Sequence, residues 1–228
     1  MALASLALLA GGGGGHELIG ASVEHRPIDV QRFGPPDAKR TVLVVGSIHG
    51  DETQGHRIVR WLARHQAPRL DDVELLLVRT VNPDGVAADT RGNAHSVDLN
   101  RNFPYQWKPI PPSSGYYSGP KPASEPETKV VRRFLRRERP DITVWYHQPW
   151  GRTLIPCGGG GRHVALRYAQ LSGLPPRDCF PSPPGSATGW QRHKLDEKAF
   201  VVELPGGRLG DDAIRRHARA LAEIAEPG

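Results

Sequence analysis

The chain of 228 residues is long enough for one catalytic-sized domain and too short for two joined by a linker. Its 38% hydrophobic and 24% charged residues fit a globular protein, and 26 glycines and 22 prolines call for long irregular connections. The formal net charge of +6 raises nucleic acid as a partner. The densest basic run, Arg132, Arg133, Arg136, Arg137 and Arg139, excludes it: these residues lie opposite Val130, Val131, Phe134 and Leu135 on a helical repeat and carry no interleaved aromatics, so they read as a solvated helix face.

Residues 2 to 10 form an apolar run of signal-peptide length with no preceding basic residue, and the Gly11 to Gly15 tract reads as a flexible linker. We set residues 1–19 apart as a truncated signal-like segment and residues 20–228 as the catalytic domain. This run is too short to cross a bilayer, so no stable membrane span is expected and export to the envelope or medium is, with the cytoplasm as the alternative. No pattern specifies an oligomer.

Downstream, Thr41 to Ile48, Val73 to Val81, Ile142 to His147 and Ala199 to Leu204 are short runs rich in branched apolar residues and predict buried strands. Between and after them, Glu52 to His65, Glu125 to Arg139, His163 to Leu171 and Asp211 to Ala225 carry apolar residues three or four apart and predict helices, the second opened by a Ser124-Glu125-Pro126-Glu127 capping signal. This alternation predicts a single α/β domain with a mixed central sheet covered by helices on both faces. The stretch from Phe103 to Ala123, rich in Pro, Gly, Ser and Tyr, reads as a long loop bordering the site. Cys157 and Cys179 form one disulfide in an oxidising compartment or remain two free buried thiols in a reducing one.

Catalytic groups of such sheets gather beyond the carboxyl ends of the strands. His49 and Glu52 stand three residues apart at a strand-to-helix turn, a spacing that points both side chains at one ion, although Asp51 and Glu52 alone would equally suit a helix start. A catalytic zinc needs a third protein ligand and an open position. His147, at the end of an apolar strand, is the best third ligand; His163, His193 and His217 lie in helical or polar stretches, and His16 and His25 precede the core. One Zn2+ per chain is expected, although two imidazoles and a carboxylate also suit cobalt or manganese.

Several further motifs follow in order: Asn82-Pro83-Asp84-Gly85, the Val97 to Pro104 segment Val-Asp-Leu-Asn-Arg-Asn-Phe-Pro, Ser124 to Thr128, Gly185-Ser186 before Trp190, and Val202-Glu203-Leu204-Pro205. With His49-Gly50-Asp51-Glu52 and the strand-end His147, they resemble the zinc carboxypeptidase family, and within it the bacterial murein peptide amidase branch, from about Gly20 to about Gly207. The resemblance implies that Asp98 accepts the free N–H of His49, fixing its tautomer. It implies that Arg91 polarises the scissile carbonyl, that Asn100 and Arg101 hold a carboxylate of the substrate, and that Glu203 is the proton carrier of a water-dependent hydrolysis. It further implies a peptide or murein-peptide substrate, with the γ-D-glutamyl–diaminopimelate bond as the leading target.

Two departures bear on substrate preference. No tyrosine lies between Cys179 and Glu203, where digestive relatives carry one that caps the substrate, which leaves Trp190 or a tyrosine of the 103 to 123 loop for that contact. His147 is followed by Gln148-Pro149 rather than by a serine or an acidic residue. Release of C-terminal residues from ordinary peptides, deacylation of N-acyl amino acids and non-catalytic binding of cell-wall peptide are the competing readings.

Overall fold

The computed structural model describes residues 15–65 and 72–226. The apolar run at 2–10 and most of the glycine tract lie outside the described residues. Eight strands form one sheet: β1 (Gly15–Ala21), β2 (Pro27–Phe33), β3 (Arg40–Val45), β4 (Val73–Val78), β5 (Ile142–His147), β6 (Trp150–Leu154), β7 (Pro176–Arg177) and β8 (Lys198–Pro205). Their order is β1-β2-β4-β3-β5-β8-β6-β7. The central four, β4, β3, β5 and β8, run parallel, whereas β2 joins β4 and β6 joins β8 antiparallel, so the sheet is mixed.

Six helices complete the chain: α1 (Gly55–His65), α2 (Pro83–Ala88), α3 (Pro126–Glu138), α4 (Gly160–Ser172), α5 (Ala187–Lys194) and α6 (Asp211–Ala225). The period-2 alternation of the strands sends successive side chains to opposite faces. Val42, Val44, Leu75, Leu77, Val144 and Tyr146 pack with Ile58 and Leu62 of α1, Tyr168 of α4 and Ile214 and Leu221 of α6. On the other face Leu43, Val45, Leu76, Val78 and Trp145 meet Val131, Phe134 and Leu135 of α3 and Trp190 of α5. Both faces are therefore covered, as a parallel core requires.

Strand order reverses at β3. The chain leaves β3 through α1 to reach β4 on one side, and returns through α3 to β5 on the other. The crevice beyond the carboxyl ends of β3 and β5 is the switch point where α/β sheets place their ligands. His49 follows β3 and His147 ends β5.

The four expected strands and four expected helices are all present, six of them with shifted ends and two, Ile142–His147 and Asp211–Ala225, as expected. The helix expected from Glu52 starts at Gly55, because Glu52 is turned inward as a site residue. The capping box at Ser124 does not form: the N-cap is Glu125 with no side-chain cap bond. Ser124 Oγ instead donates to Glu125, and the Glu127 carboxylate accepts from Val23 N and Asn93 Nδ2. Strand β1 begins at Gly15, so the last five residues of the segment 1–19 set apart from the domain belong to the sheet. Cys157 and Cys179, both exposed, pair as a disulfide.

Candidate metal centre and its cavity

The backbone beneath the site is held by turns that tolerate little change. Asn82 Oδ1 accepts from Gly85 N, closing the start of α2, while Asn82 Nδ2 donates to the carbonyls of Arg91 and Gly92 and so fixes the loop that carries Arg91. A Cβ on Gly50 would stand 1.9 Å from the carbonyl carbon of Gly85. The loop bearing His49 and the Asn82–Gly85 turn thus touch backbone to backbone, which only glycine permits. Gly185, at φ +73°, lies equally close to Arg101: a Cβ there would meet the Arg101 carbonyl oxygen at 2.1 Å.

On this frame three buried groups converge. Nδ1 of His49 lies 2.9 Å from Glu52 Oε1, Nδ1 of His147 lies 2.8 Å from Glu52 Oε2, and the two Nδ1 atoms are 3.2 Å apart. Two nitrogens bound tetrahedrally to one zinc at about 2.05 Å stand about 3.3 Å from each other, so the spacing suits a shared ion. Register brings in a fourth group, since β5 and β8 pair His147 with Glu203 side by side. Glu203 is 8% exposed, and its Oε2 is buried with no hydrogen-bond partner.

Asp98 organises the cluster from behind. Its Oδ1 accepts from His49 Nε2 at 3.0 Å and from Asn100 N at 2.9 Å, and its Oδ2 accepts from Arg91 Nε at 3.0 Å. Arg91 also donates from Nη1 to Glu52 Oε1 at 3.2 Å. The 3₁₀ turn Leu99–Arg101, capped by Asp98 itself, therefore presents Asn100 and Arg101 two and three residues beyond the His49 partner. Asn100 Oδ1 accepts from Ala187 N, and its Nδ2 lies 3.5 Å from His147 Nε2.

These contacts set the electrostatics. Burial opposes charge on His49, but neighbouring Asp98 and Glu52 outweigh it and raise its pKa. Burial likewise opposes charge on Glu52 and on Asp98, yet His147 and His49 hold the first, and His49 and Arg91 the second, well below the usual carboxylate range. Glu203 behaves oppositely: burial pushes its carboxyl up, and Glu52 adds to the rise while His147 opposes it. Two ionised carboxylates beside two imidazoles create a field that favours a cation at the convergence point. Two imidazoles, one carboxylate and an unpartnered buried acid facing them are the donor set of a catalytic zinc site.

The zinc carboxypeptidase family model matches residues 16–159. Murein peptide amidase A of Escherichia coli is 31% identical over 225 residues, covering 92% of this chain and 87% of that protein. The chain belongs to the zinc carboxypeptidase family. Murein peptide amidase A of Vibrio campbellii is 27% identical over 93% of this chain and 86% of its own length. The crystal structure of a murein-tripeptide amidase from Escherichia coli superposes with a TM-score of 0.74 at 27% identity, over 94% of this chain and 93% of that one. Carboxypeptidase A of Helicoverpa armigera shares the fold, with a TM-score of 0.76 at 17% identity over 94% of this chain and 69% of that one.

As a zinc carboxypeptidase, the chain is a hydrolase with His49, Glu52 and His147 grouped as its metal site. These ligands open onto a cavity of about 550 Å³, also lined by Arg91, Asn100, Arg101 and Glu203. Trp190 does not line it. Only 2% exposed, Trp190 packs on Phe103 in the core, beneath the guanidinium groups of Arg132 and Arg136 at 5.4 and 5.5 Å from its ring centre. Its expected contact with substrate is therefore corrected: α5 turns the indole toward α3.

The tyrosine that reaches the cavity is Tyr116, from the 103 to 123 loop. Tyr116 is 52% exposed, and its ring centre lies 4.9 Å from the Arg91 guanidinium and 5.4 Å from that of Arg101. Gln148 has a supporting role: its backbone N donates to Glu52 Oε2, and its side chain ties Gln54 N to the carbonyl of Pro205. It thereby locks the glutamate ligand to the end of β8. Arg192 also lines the cavity, and the motifs named from sequence do not include it. Among the described residues no helix is long and apolar enough to cross a membrane.

Proposed function

We propose that this enzyme hydrolyses a peptide amide bond next to a free carboxylate, with the γ-D-glutamyl–diaminopimelate bond of murein peptides as its target. The observation that carries the chemistry is the unpartnered Oε2 of Glu203, buried beside His147 on the neighbouring strand. Similarity to murein peptide amidases over most of both chains supports the choice of bond.

His49, Glu52 and His147 would hold the ion, and zinc, when bound, supplies a Lewis acid that makes water nucleophilic near neutral pH. Glu203 takes the proton of the attacking water; its raised pKa makes it a stronger base than an ordinary carboxylate. It then returns that proton to the leaving nitrogen, so one residue serves as base and acid in turn. Arg91, anchored by Asp98 and Glu52, directs a fixed guanidinium toward the oxyanion that develops on the carbonyl carbon. Asn100 and Arg101 bind the free carboxylate of the leaving residue, and the Tyr116 ring packs against both guanidinium groups. Keeping Arg91 and Arg101 under an aromatic ring strengthens their interaction with anions by excluding water.

The disulfide and the apolar run at 2–10 support a location outside the cytoplasm. Incubation of the zinc-loaded enzyme with L-alanyl-γ-D-glutamyl-meso-diaminopimelate, followed by chromatography, tests the function. Free diaminopimelate is expected. Cleavage of ordinary α-peptides with none of the tripeptide would instead assign general C-terminal residue release.

A further inference from the structure

Three arginines line the cavity, and they differ in what neutralises them. Arg91 is paired with Asp98 and Glu52. Arg101 and Arg192 form no ion pair with any carboxylate among the described residues. Arg101 donates to the backbone carbonyl of Asn100. Arg192, in the last turn of α5, donates from Nη1 to the carbonyl of Ala199 at 3.3 Å and from Nη2 to the hydroxyl of Ser182. Two of its five N–H groups are thus engaged with neutral oxygens, which hold the fork in place and leave donors for a ligand.

A half-buried guanidinium without a counter-ion is costly unless an anion arrives to complete it. The surroundings define what that anion is attached to. Leu154, Phe180 and Val201 line the same cavity and present apolar walls, while Ser182, bonded to Arg192, and Thr188 add hydroxyls to its lining. The pocket therefore suits an aliphatic stem that ends in an anionic group.

We infer that Arg192 is the specificity-determining residue for the leaving group and binds a second carboxylate on it, the first being held by Arg101. The inference rests on the reading of Arg101 as the clamp for the first carboxylate. A leaving residue with two carboxylates separated by a methylene chain fills both positions, and diaminopimelate is such a residue. Lysine is the matched control, because it is diaminopimelate with hydrogen in place of the distal carboxylate. A site built to bind an anion rejects the analogue that lacks it, since the cation is then left buried and unpaired.

Two substrate pairs test this on wild type, Arg192→Gln and Arg192→Lys. The first is L-alanyl-γ-D-glutamyl-meso-diaminopimelate against the same peptide ending in L-lysine; the second is benzoylglycyl-glutamate against benzoylglycyl-glutamine. The wild type is expected to favour the dicarboxylic member by kcat/KM. In Arg192→Gln that preference ratio falls about 10- to 100-fold, mostly through KM, and Arg192→Lys restores part of it. A ratio within twofold of wild type in zinc-loaded, folded Arg192→Gln overturns the inference, as does a wild type indifferent to the acid in both pairs. Cleavage of the diaminopimelyl peptide with an Arg192-independent ratio sinks this inference and leaves the proposed function standing. An Arg192-dependent preference for glutamate over glutamine, with no cleavage of either γ-glutamyl peptide, does the reverse. Titration calorimetry with diaminopimelate and with lysine reads the same preference without turnover, and equal affinities in wild type and Arg192→Gln count against the role.

Discussion

Replacing Asp98 with asparagine tests the whole site through one atom. Asp98 is 1% exposed and accepts from three donors, His49 Nε2, Asn100 N and Nε of Arg91, with Nη2 of Arg91 in ion-pair contact 3.0 Å from its Oδ2. Asparagine fills the same space but offers one carbonyl and an amide that is itself a donor, so one side of the carboxylate becomes a donor facing a donor. It also removes the charge that outweighs burial at His49. A hydrogen bond to a charged group contributes about 1.5–3 kcal/mol. Replacing the charged acceptor of His49 by a neutral amide oxygen weakens zinc binding by about 10- to 100-fold, the range in which such supporting contacts act. Activity at saturating zinc falls as well, because Arg91 keeps Glu52 as its only carboxylate partner. Competition with a chromophoric chelator measures the affinity, and circular dichroism checks the fold. A zinc affinity for folded Asp98→Asn within twofold of wild type would refute the reasoning, since His49 would then not depend on Asp98 as a ligand must.

Other outcomes follow from the same geometry. Glu203→Gln keeps the shape of β8 and all three ligands, so zinc content should stay near one per chain while kcat falls by about 10²- to 10⁴-fold; a loss below tenfold would assign proton transfer elsewhere. Glu197 provides the pH prediction: it is 7% exposed, Oε2 accepts from Gln191, Oε1 is unpartnered, and burial pushes its pKa up to about 7. The folded chain then holds a proton that the unfolded chain releases near pH 4.5, so this contribution is complete below pH 4.5 and is lost as pH rises to about 7. The shift corresponds to about 3 kcal/mol. Denaturation of the metal-free protein in urea should show Glu197→Gln matching wild type near pH 4.5 and exceeding it by up to that amount at pH 8; identical profiles would contradict the shift. Replacing Cys157 and Cys179 by serine should cost about 3 kcal/mol of stability, from the 22-residue separation that the bond closes, and leave zinc content unchanged. Loss of zinc in that variant would show that the ligand set is wrong.

The central strands and main helices were legible because their signal is local: Ile142 to His147 is a continuous apolar run, and Asp211 to Ala225 repeats its apolar residues at helical spacing. The edge strands were not. In β2, Ile28 and Val30 are fully buried but alternate with Asp29 and Gln31, and β1 exposes Leu18, so a short half-buried strand resembles a polar loop. The metal ligands were readable because His49 and Glu52 lie on one turn and His147 ends a strand, and sheet topology then brings those places together. Trp190 was misplaced because a tryptophan beside a motif carries no sign of which way its helix faces; the packing of α3 on α5 turned it inward under Arg132 and Arg136.

What the sequence by itself determined is the chemistry: the types and order of the ligands, the carboxylate behind His49 and the acid at the end of β8. The histidines and Glu203 are set by residue identity at or just beyond the ends of strongly patterned strands, and Asp98 by its place in the Val97 to Pro104 motif that carries the family resemblance. Only the tertiary structure decided the walls of the cavity. Tyr116, Gln148 and Arg192 come from a loop, a strand end and a helix far apart in the chain, and each side chain acquires its direction from packing and hydrogen bonds that no local pattern encodes.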